Sequence, residues 1–237
     1  MRFSSALTEG RLARRYQRFF VDVDLPDGRR VTAHCPNTGS LMGCADPGLR
    51  VWLSDVSGVG RKLDLRWDLV EVGGGALVGV NTLFANRLVR EAIGAGVVPE
   101  LGGYGEVRGE VRFGSEGSRV DLLLSRPEGG ARCFLEVKNV TAAVQGGVAL
   151  FPDAVSRRAS KHLRELMAVV AGGERAALLF CVQRGDVEEV RPADAIDPVY
   201  GRTLREAVAA GVEVLAYRAR VSLAGIALTD RVPVVCE

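Results

Sequence analysis

The sequence predicts an α/β protein in two parts, a five-stranded β-barrel over residues 1–80 and a mixed α/β sandwich over residues 81–237. Three observations predict it. Short strands separated by turn chemistry fill the first 80 residues. The first helix signal follows Val80, and Ala176–Val182 is apolar on both alternating faces, as suits a strand with helices above and below. The composition agrees: 47% hydrophobic and 25% charged over 237 residues excludes a disordered tail protein and is enough chain to bury a core without staples.

In the first part, Arg11–Leu25 ends in the alternation Phe19, Val21, Val23, Leu25, with Asp22 and Asp24 on the other face. Pro26-Asp27-Gly28 is a turn, and Arg30–Cys35 is the return strand. Leu49–Val56, Leu63–Val72 and Ala76–Val80 follow, broken by Asp46-Pro47-Gly48 and Gly73-Gly74-Gly75. An OB-type barrel is the commonest five-stranded solution, and an SH3-like barrel would read the same way. Trp52 and Trp67 read as barrel core.

In the second part, Asn81 or Thr82 caps a helix carrying Phe84, Leu88 and Ala92, which Gly94 and Gly96 end. Strands follow at Glu106–Phe113, Arg119–Leu124 and Arg132–Val140, the first two joined by the turn Gly114-Ser115-Glu116-Gly117. Arg157–Ala171 is a helix burying Leu163, Leu166, Met167 and Val170. After the central strand come a helix at Arg202–Ala210 and a strand at Val212–Tyr217.

Charge excludes little: 31 basic residues against 29 acidic give +2, and 28 of the basic ones are Arg. Five Cys, odd in number and without a Cys-x-x-Cys pair, form neither a disulfide framework nor a zinc spacing and fit a reducing cytoplasm. The N-terminal stretch lacks the apolar core of a signal peptide, and no apolar run reaches the roughly 20 residues that cross a bilayer. A cytoplasmic protein with no membrane partner and no organic cofactor is expected; a homodimer is a candidate assembly.

Polar residues stand where strands should be apolar. Asp121 shares a face with Arg119 and Leu123, and Glu136 and Lys138 share one with Phe134, while Leu135 and Val137 point away. If these strands pair, two carboxylates and an ammonium converge. Two buried carboxylates repel unless a cation sits between them, and hard oxygen ligands select Mg2+ or Mn2+ over zinc. Lys138, one of only three Lys, would then point at water on the metal. A salt bridge on an edge strand is the bland alternative. Glu110 on the preceding strand is a further catalytic candidate, and Glu91 on the first helix a weaker one. Asp153 or Ser156 caps the helix that follows, and Asp153 is alternatively a metal ligand.

Arg157, Lys161 and Arg164 lie at i, i+4 and i+7, a basic stripe suited to phosphates or simply solvated; His162 borders the apolar face. Extended, Arg14, Tyr16 and Arg18 share a face, interleaving charge and ring as nucleic acid prefers. The turn-rich His34–Cys44 segment offers backbone donors to an anion or is a tight connection. Cys35 lacks a better base than His34, which argues against a nucleophile.

The Asp121…Glu136-x-Lys138 layout, 14 residues then one, on a hairpin after a helix resembles the PD-(D/E)xK nuclease superfamily. His34-Cys-Pro-Asn-Thr-Gly-Ser, Ser118-Arg-Val-Asp, Glu136-Val-Lys-Asn-Val-Thr, Phe151-Pro-Asp-Ala-Val and Lys161-His-Leu-Arg-Glu-Leu together resemble the sugar fermentation stimulation protein A family over nearly the whole chain. That resemblance implies an N-terminal OB-fold, a PD-(D/E)xK-like C-terminal domain, DNA binding, and a role in regulating sugar-utilisation genes. It carries metal ligation onto Asp121 and Glu136 and the Lys role onto Lys138. Three functions are in view: a DNA-binding protein with a Mg2+-dependent phosphodiesterase site, a non-catalytic DNA-binding transcriptional regulator, and an RNA- or nucleotide-processing enzyme using the same site.

Overall fold

The computed structural model describes residues 1–237 apart from Val59, Arg61, Ser115, Glu116, Gln145 and Glu237, so the expected 114–117 turn lies partly outside the described residues. The first part is built from β1 (Thr8–Tyr16), β2 (Phe20–Asp24), β3 (Arg30–His34), β4 (Arg50–Asp55) and β5 (Leu65–Val72). They pair in the order β3-β2-β1-β4-β5, and a parallel contact of His34 with Arg66 closes β3 onto β5. This closed five-stranded ring is the OB barrel.

Three expectations are corrected by the barrel. The stretch from Arg11 to Leu25 is two strands, because Gln17 and Arg18 adopt φ of 48° and 63° and reverse the chain after Tyr16. β6 (Ala76–Gly79) stands outside the ring: it hairpins onto β5 through Gly74 and Gly75, whose φ of 77° and 80° glycine alone adopts cheaply. Leu12, Val23, Leu53, Trp67 and Val70 fill the barrel. Trp52 is the third correction. Its neighbours Val51 and Leu53 point inward, so its own ring points out and joins the core of the second part, the cluster that also holds Leu88, Leu135 and Leu179.

The second part contains α1 (Ala85–Gly94), β7 (Glu106–Phe113), β8 (Ser118–Ser125), β9 (Cys133–Val140), β10 (Ala143–Val144), β11 (Val148–Phe151), α2 (Arg157–Ala171), β12 (Arg175–Val182), β13 (Glu189–Pro192), α3 (Pro198–Ala209), β14 (Glu213–Ser222) and β15 (Gly225–Arg231). The main sheet runs β15-β14-β12-β9-β8-β7, with β9, β12 and β14 parallel and the remaining pairs antiparallel. α2 and α3 supply the crossovers and pack on one face, and α1 with the barrel covers the other. β12 lies between, with Leu178 and Phe180 facing α2 and Ala177, Leu179 and Cys181 facing α1. Each such Leu or Phe, fully buried, contributes roughly 1.5–3 kcal/mol.

Helix α3 begins four residues before the expected Arg202, because Asp197 caps it through Tyr200 N at 3.0 Å and Pro198 supplies a helical φ. The three-stranded sheet β10-β11-β13 and the edge strand β15 were not foreseen; all but β15 are four residues or shorter. Among the described residues no helix is long and apolar enough to cross a membrane.

Candidate active site

The site lies where β8 and β9 part. Their pairing stops at Leu122↔Leu135, and at the next position Asp121 replaces the ladder with its side chain. Its Oδ2 accepts the Val137 amide at 2.8 Å, and its Oδ1 accepts Asn86 Nδ2 of α1 at 3.0 Å. The alternation of β8 switches here: Val120 and Leu123 pack toward α2, whereas Leu122 and Leu124 pack toward α1. β7 switches at the facing position, where Glu110 has φ of 55°. The expected face shared by Arg119, Asp121 and Leu123 is therefore corrected; Asp121 sits at the crossover between two faces.

β9 alternates regularly and places Phe134, Glu136 and Lys138 toward α2. Glu136 is 3% exposed, and its Oε1 accepts both Lys138 Nζ at 2.6 Å and His162 Nδ1 at 2.5 Å. His162 Nε2 in turn accepts Arg158 Nε at 3.4 Å. Burial pushes the Glu136 carboxyl up, but the His162 hydrogen bond and the Lys138 charge outweigh it and hold the group below its ordinary value. Asp121 goes the other way: burial and the Glu136 charge raise it, against the Val137 amide, Asn86 and Lys138. Two neighbouring carboxylates with opposed shifts are what environment-tuned sites show.

The metal fit can be tested on one atom. Glu136 Oε2 is buried and has no hydrogen-bond partner among the described residues, an expensive state for a carboxylate oxygen. No group of three His, Cys, Asp or Glu close enough to hold a metal occurs among the described residues, so Asp121 and Glu136 are the offer. A hard cation that retains several waters suits such a pair.

The other candidates disperse. Glu110 stands exposed across β7 from Asp121. Glu91 pairs with the Met1 amine at 2.6 Å and with Arg87 at 2.8 Å. Arg157 and Arg164 are exposed and Lys161 half-buried along α2, whereas His162 turns inward to Glu136, away from the stripe. Ser156, not Asp153, caps α2. Asp153 reaches to the barrel, where its Oδ2 accepts Leu41 N at 3.0 Å. Arg14 lies 4.8 Å from the Tyr16 ring, which stacks on Phe20 at 5.5 Å. Arg18 leaves that face, because its positive φ carries it around the turn toward the second part.

A chain of buried polar groups ties the two parts together. Asp68, fully buried on β5, accepts Arg66, Ser54 and Asn81 Nδ2; Gln183 Nε2 donates to Asn81 O at 2.9 Å and to Asn139 Oδ1 at 2.5 Å. Asn139 follows Lys138 directly.

Comparison with known proteins agrees with this architecture. Residues 13–80 match the SfsA N-terminal OB domain, and residues 83–225 match the sugar fermentation stimulation protein RE domain. The chain belongs to the sugar fermentation stimulation protein family. A homolog from Thioalkalivibrio sulfidiphilus is 62% identical over 228 residues, spanning 96% of this chain and 95% of that one. One from Geobacter metallireducens is 57% identical over 235 residues, or 99% and 100%. Among solved structures, Pyrococcus furiosus SfsA in complex with Ca2+ superposes with a TM-score of 0.88 at 28% identity, covering 99% of this chain and 98% of that one.

In this family member, sequence reasoning passed over Asn86, Asp68, Asn139 and Gln183. Asp68 had a signal, being a charge inside the apolar strand Leu65–Val72. Asn86 had none, since a first-turn Asn on a helix is ordinary.

Proposed function

We propose that this family member binds DNA and carries a divalent-metal phosphodiesterase site in its PD-(D/E)xK-like part. Residues 1–80 would grip the strand and residues 81–237 would react with it. The unpartnered Glu136 Oε2 beside a raised Asp121 carries the reading. Asp121 and Glu136 would hold the ion, Mg2+ or Mn2+ for turnover. The Ca2+ complex of the Pyrococcus furiosus relative supports a hard divalent cation. When bound, such an ion polarises a phosphoryl oxygen and acidifies water.

The chain's own residues do the rest. His162 fixes the Glu136 rotamer through Oε1, leaving Oε2 for the ion. Lys138, only 13% exposed, keeps its ammonium at the same carboxylate, where it orients water or faces a developing phosphate charge. Asn86 and the Val137 amide hold Asp121 in one orientation. The Arg14–Tyr16–Phe20 stack offers a ring face and a cation to bases and backbone.

The test incubates pure protein with single-stranded, duplex and branched DNA in Mg2+, Mn2+ or EDTA. Metal-dependent cleavage that Glu136→Gln and Lys138→Ala abolish is expected. Cleavage undiminished in Glu136→Ala excludes the site. Metal-independent, sequence-selective binding without product supports a non-catalytic regulator instead.

A further inference from the structure

The barrel and the α/β part leave a cleft of about 260 Å³ between them. Asn139–Ala142 form its floor, Asn37–Gly39 of the barrel one wall, and Phe151–Ser156 the other. The floor therefore begins one residue past Lys138. Arg18 stands at the cleft's mouth and also lines a groove on the barrel rim with Arg14 and Tyr16, so the two depressions meet at a single cation. The Arg18 side chain is exposed and has no hydrogen-bond or ionic partner among the described residues. On the floor, Asn139 Oδ1 is taken by Gln183, while its Nδ2 is a buried donor without an acceptor.

The cleft is built rather than left over. Arg15 pins the barrel wall, with Nη2 donating to the carbonyls of Asn37 and Gly39 at 2.8 Å each and Nη1 to Ser40 O at 3.0 Å. Asp153 holds that wall to the opposite one through Leu41 N. The volume falls just short of the roughly 300 Å³ at which pockets for a small ligand start, so it holds part of one nucleotide and no more. A B-form duplex, whose major groove alone is about 12 Å wide, does not enter.

We propose that the cleft seats one unpaired nucleotide of the strand presented to Asp121, Glu136 and Lys138, so the protein selects single-stranded DNA or an unpaired end over intact duplex. This rests on the phosphodiesterase reading of that site and adds its strand specificity. Bases stack beside the Tyr16–Phe20 pair, the backbone passes Arg18, and the seated nucleotide lies over the Asn139–Ala142 floor.

Fluorescence anisotropy in Ca2+ tests it with a dT oligomer of about 15 nucleotides, near the upper site size of one OB barrel. A blunt duplex of equal length and the same duplex with an unpaired tail complete the set. The single strand and tailed duplex should bind at least about tenfold tighter than the blunt one, as stacking of a base or two provides. Thr38→Trp, which fills the cleft from an exposed wall position, and Arg18→Asn, which tolerates the positive φ, should each remove most of that preference. Equal affinity for the blunt duplex overturns the proposal. So does unchanged single-strand affinity in either variant when its melting temperature matches the parent's. Calorimetry of Ca2+ without DNA separates the two readings. An ion bound normally with no strand preference sinks the cleft alone; strand preference without ion binding sinks the metal reading and leaves the cleft.

Discussion

Replacing Asp121 with Asn should stabilise the metal-free protein and remove its response to metal. Asp121 Oδ1 accepts Asn86 and Oδ2 accepts the Val137 amide. An Asn at this position keeps both bonds: its oxygen faces Val137, and a flip of Asn86 presents that side chain's oxygen to the new amide. What disappears is a desolvated charge beside Glu136, the cause of the raised carboxyl value. Because the folded state holds this proton more tightly than the unfolded chain does, ionisation costs stability. The cost is absent below about the ordinary value of 3.8 and complete once the pH has passed the raised folded value. The variant should therefore gain about 1 kcal/mol at neutral pH in EDTA, within the range of active-site substitutions that relieve strain, and nothing at pH 3. Metal at a hundredfold excess over Kd stabilises the parent by about 2.7 kcal/mol, roughly 5–10 °C for a chain this long, and should leave the variant unmoved. Thermal and urea unfolding at pH 3 and pH 7, with EDTA or Ca2+, read all of this. A metal-free variant less stable than the parent by more than about 1 kcal/mol, or one keeping the full metal shift, would refute the reasoning.

Other substitutions probe the frame. Asp68→Ala strands Arg66, Ser54 and Asn81 and should cost about 3–5 kcal/mol of unfolding free energy, measured by urea titration. Gly39→Ala puts a Cβ 2.5 Å from Asp153 Oδ2, displaces that carboxylate from Leu41 and should cost about 1 kcal/mol, with faster exchange of the Leu41 amide. In an Asp153→Ala background the same substitution should be neutral, which a double-mutant cycle would show. Burial pushes the Cys44 thiol up to about 11 and Cys133 and Cys181 up to about 12, so a thiol reagent at pH 8 should label half-buried Cys236 first and the rest only on unfolding.

What the sequence made legible was set by how local the cause was. Glu136 and Lys138 could be placed on one face because β9 alternates without interruption. Asp121 could be picked out but not oriented, since the switch of faces comes from the parting of two strands and from the backbone of Glu110 on a third. His162 was visible as a residue bordering the apolar face of α2; its partner lies 26 residues upstream on another element, which periodicity does not reveal. Trp52 was readable in principle, because Val51 and Leu53 point inward and alternation forces it out. Arg18 was lost to two consecutive left-handed residues that carry no Gly or Asn signal. β10, β11 and β13 are too short to show a period.

The polar chain from Arg66 through Asp68, Asn81 and Gln183 to Asn139 makes the molecule a caliper. Its barrel end sits in β5 and its other end abuts Lys138, so swinging the barrel would strip several buried groups of partners at roughly 1–3 kcal/mol apiece. The jaws are locked at one opening. Under the proposed function, a strand held at Tyr16 meets the carboxylates at a constant offset, and fragments counted from the held end should share one length.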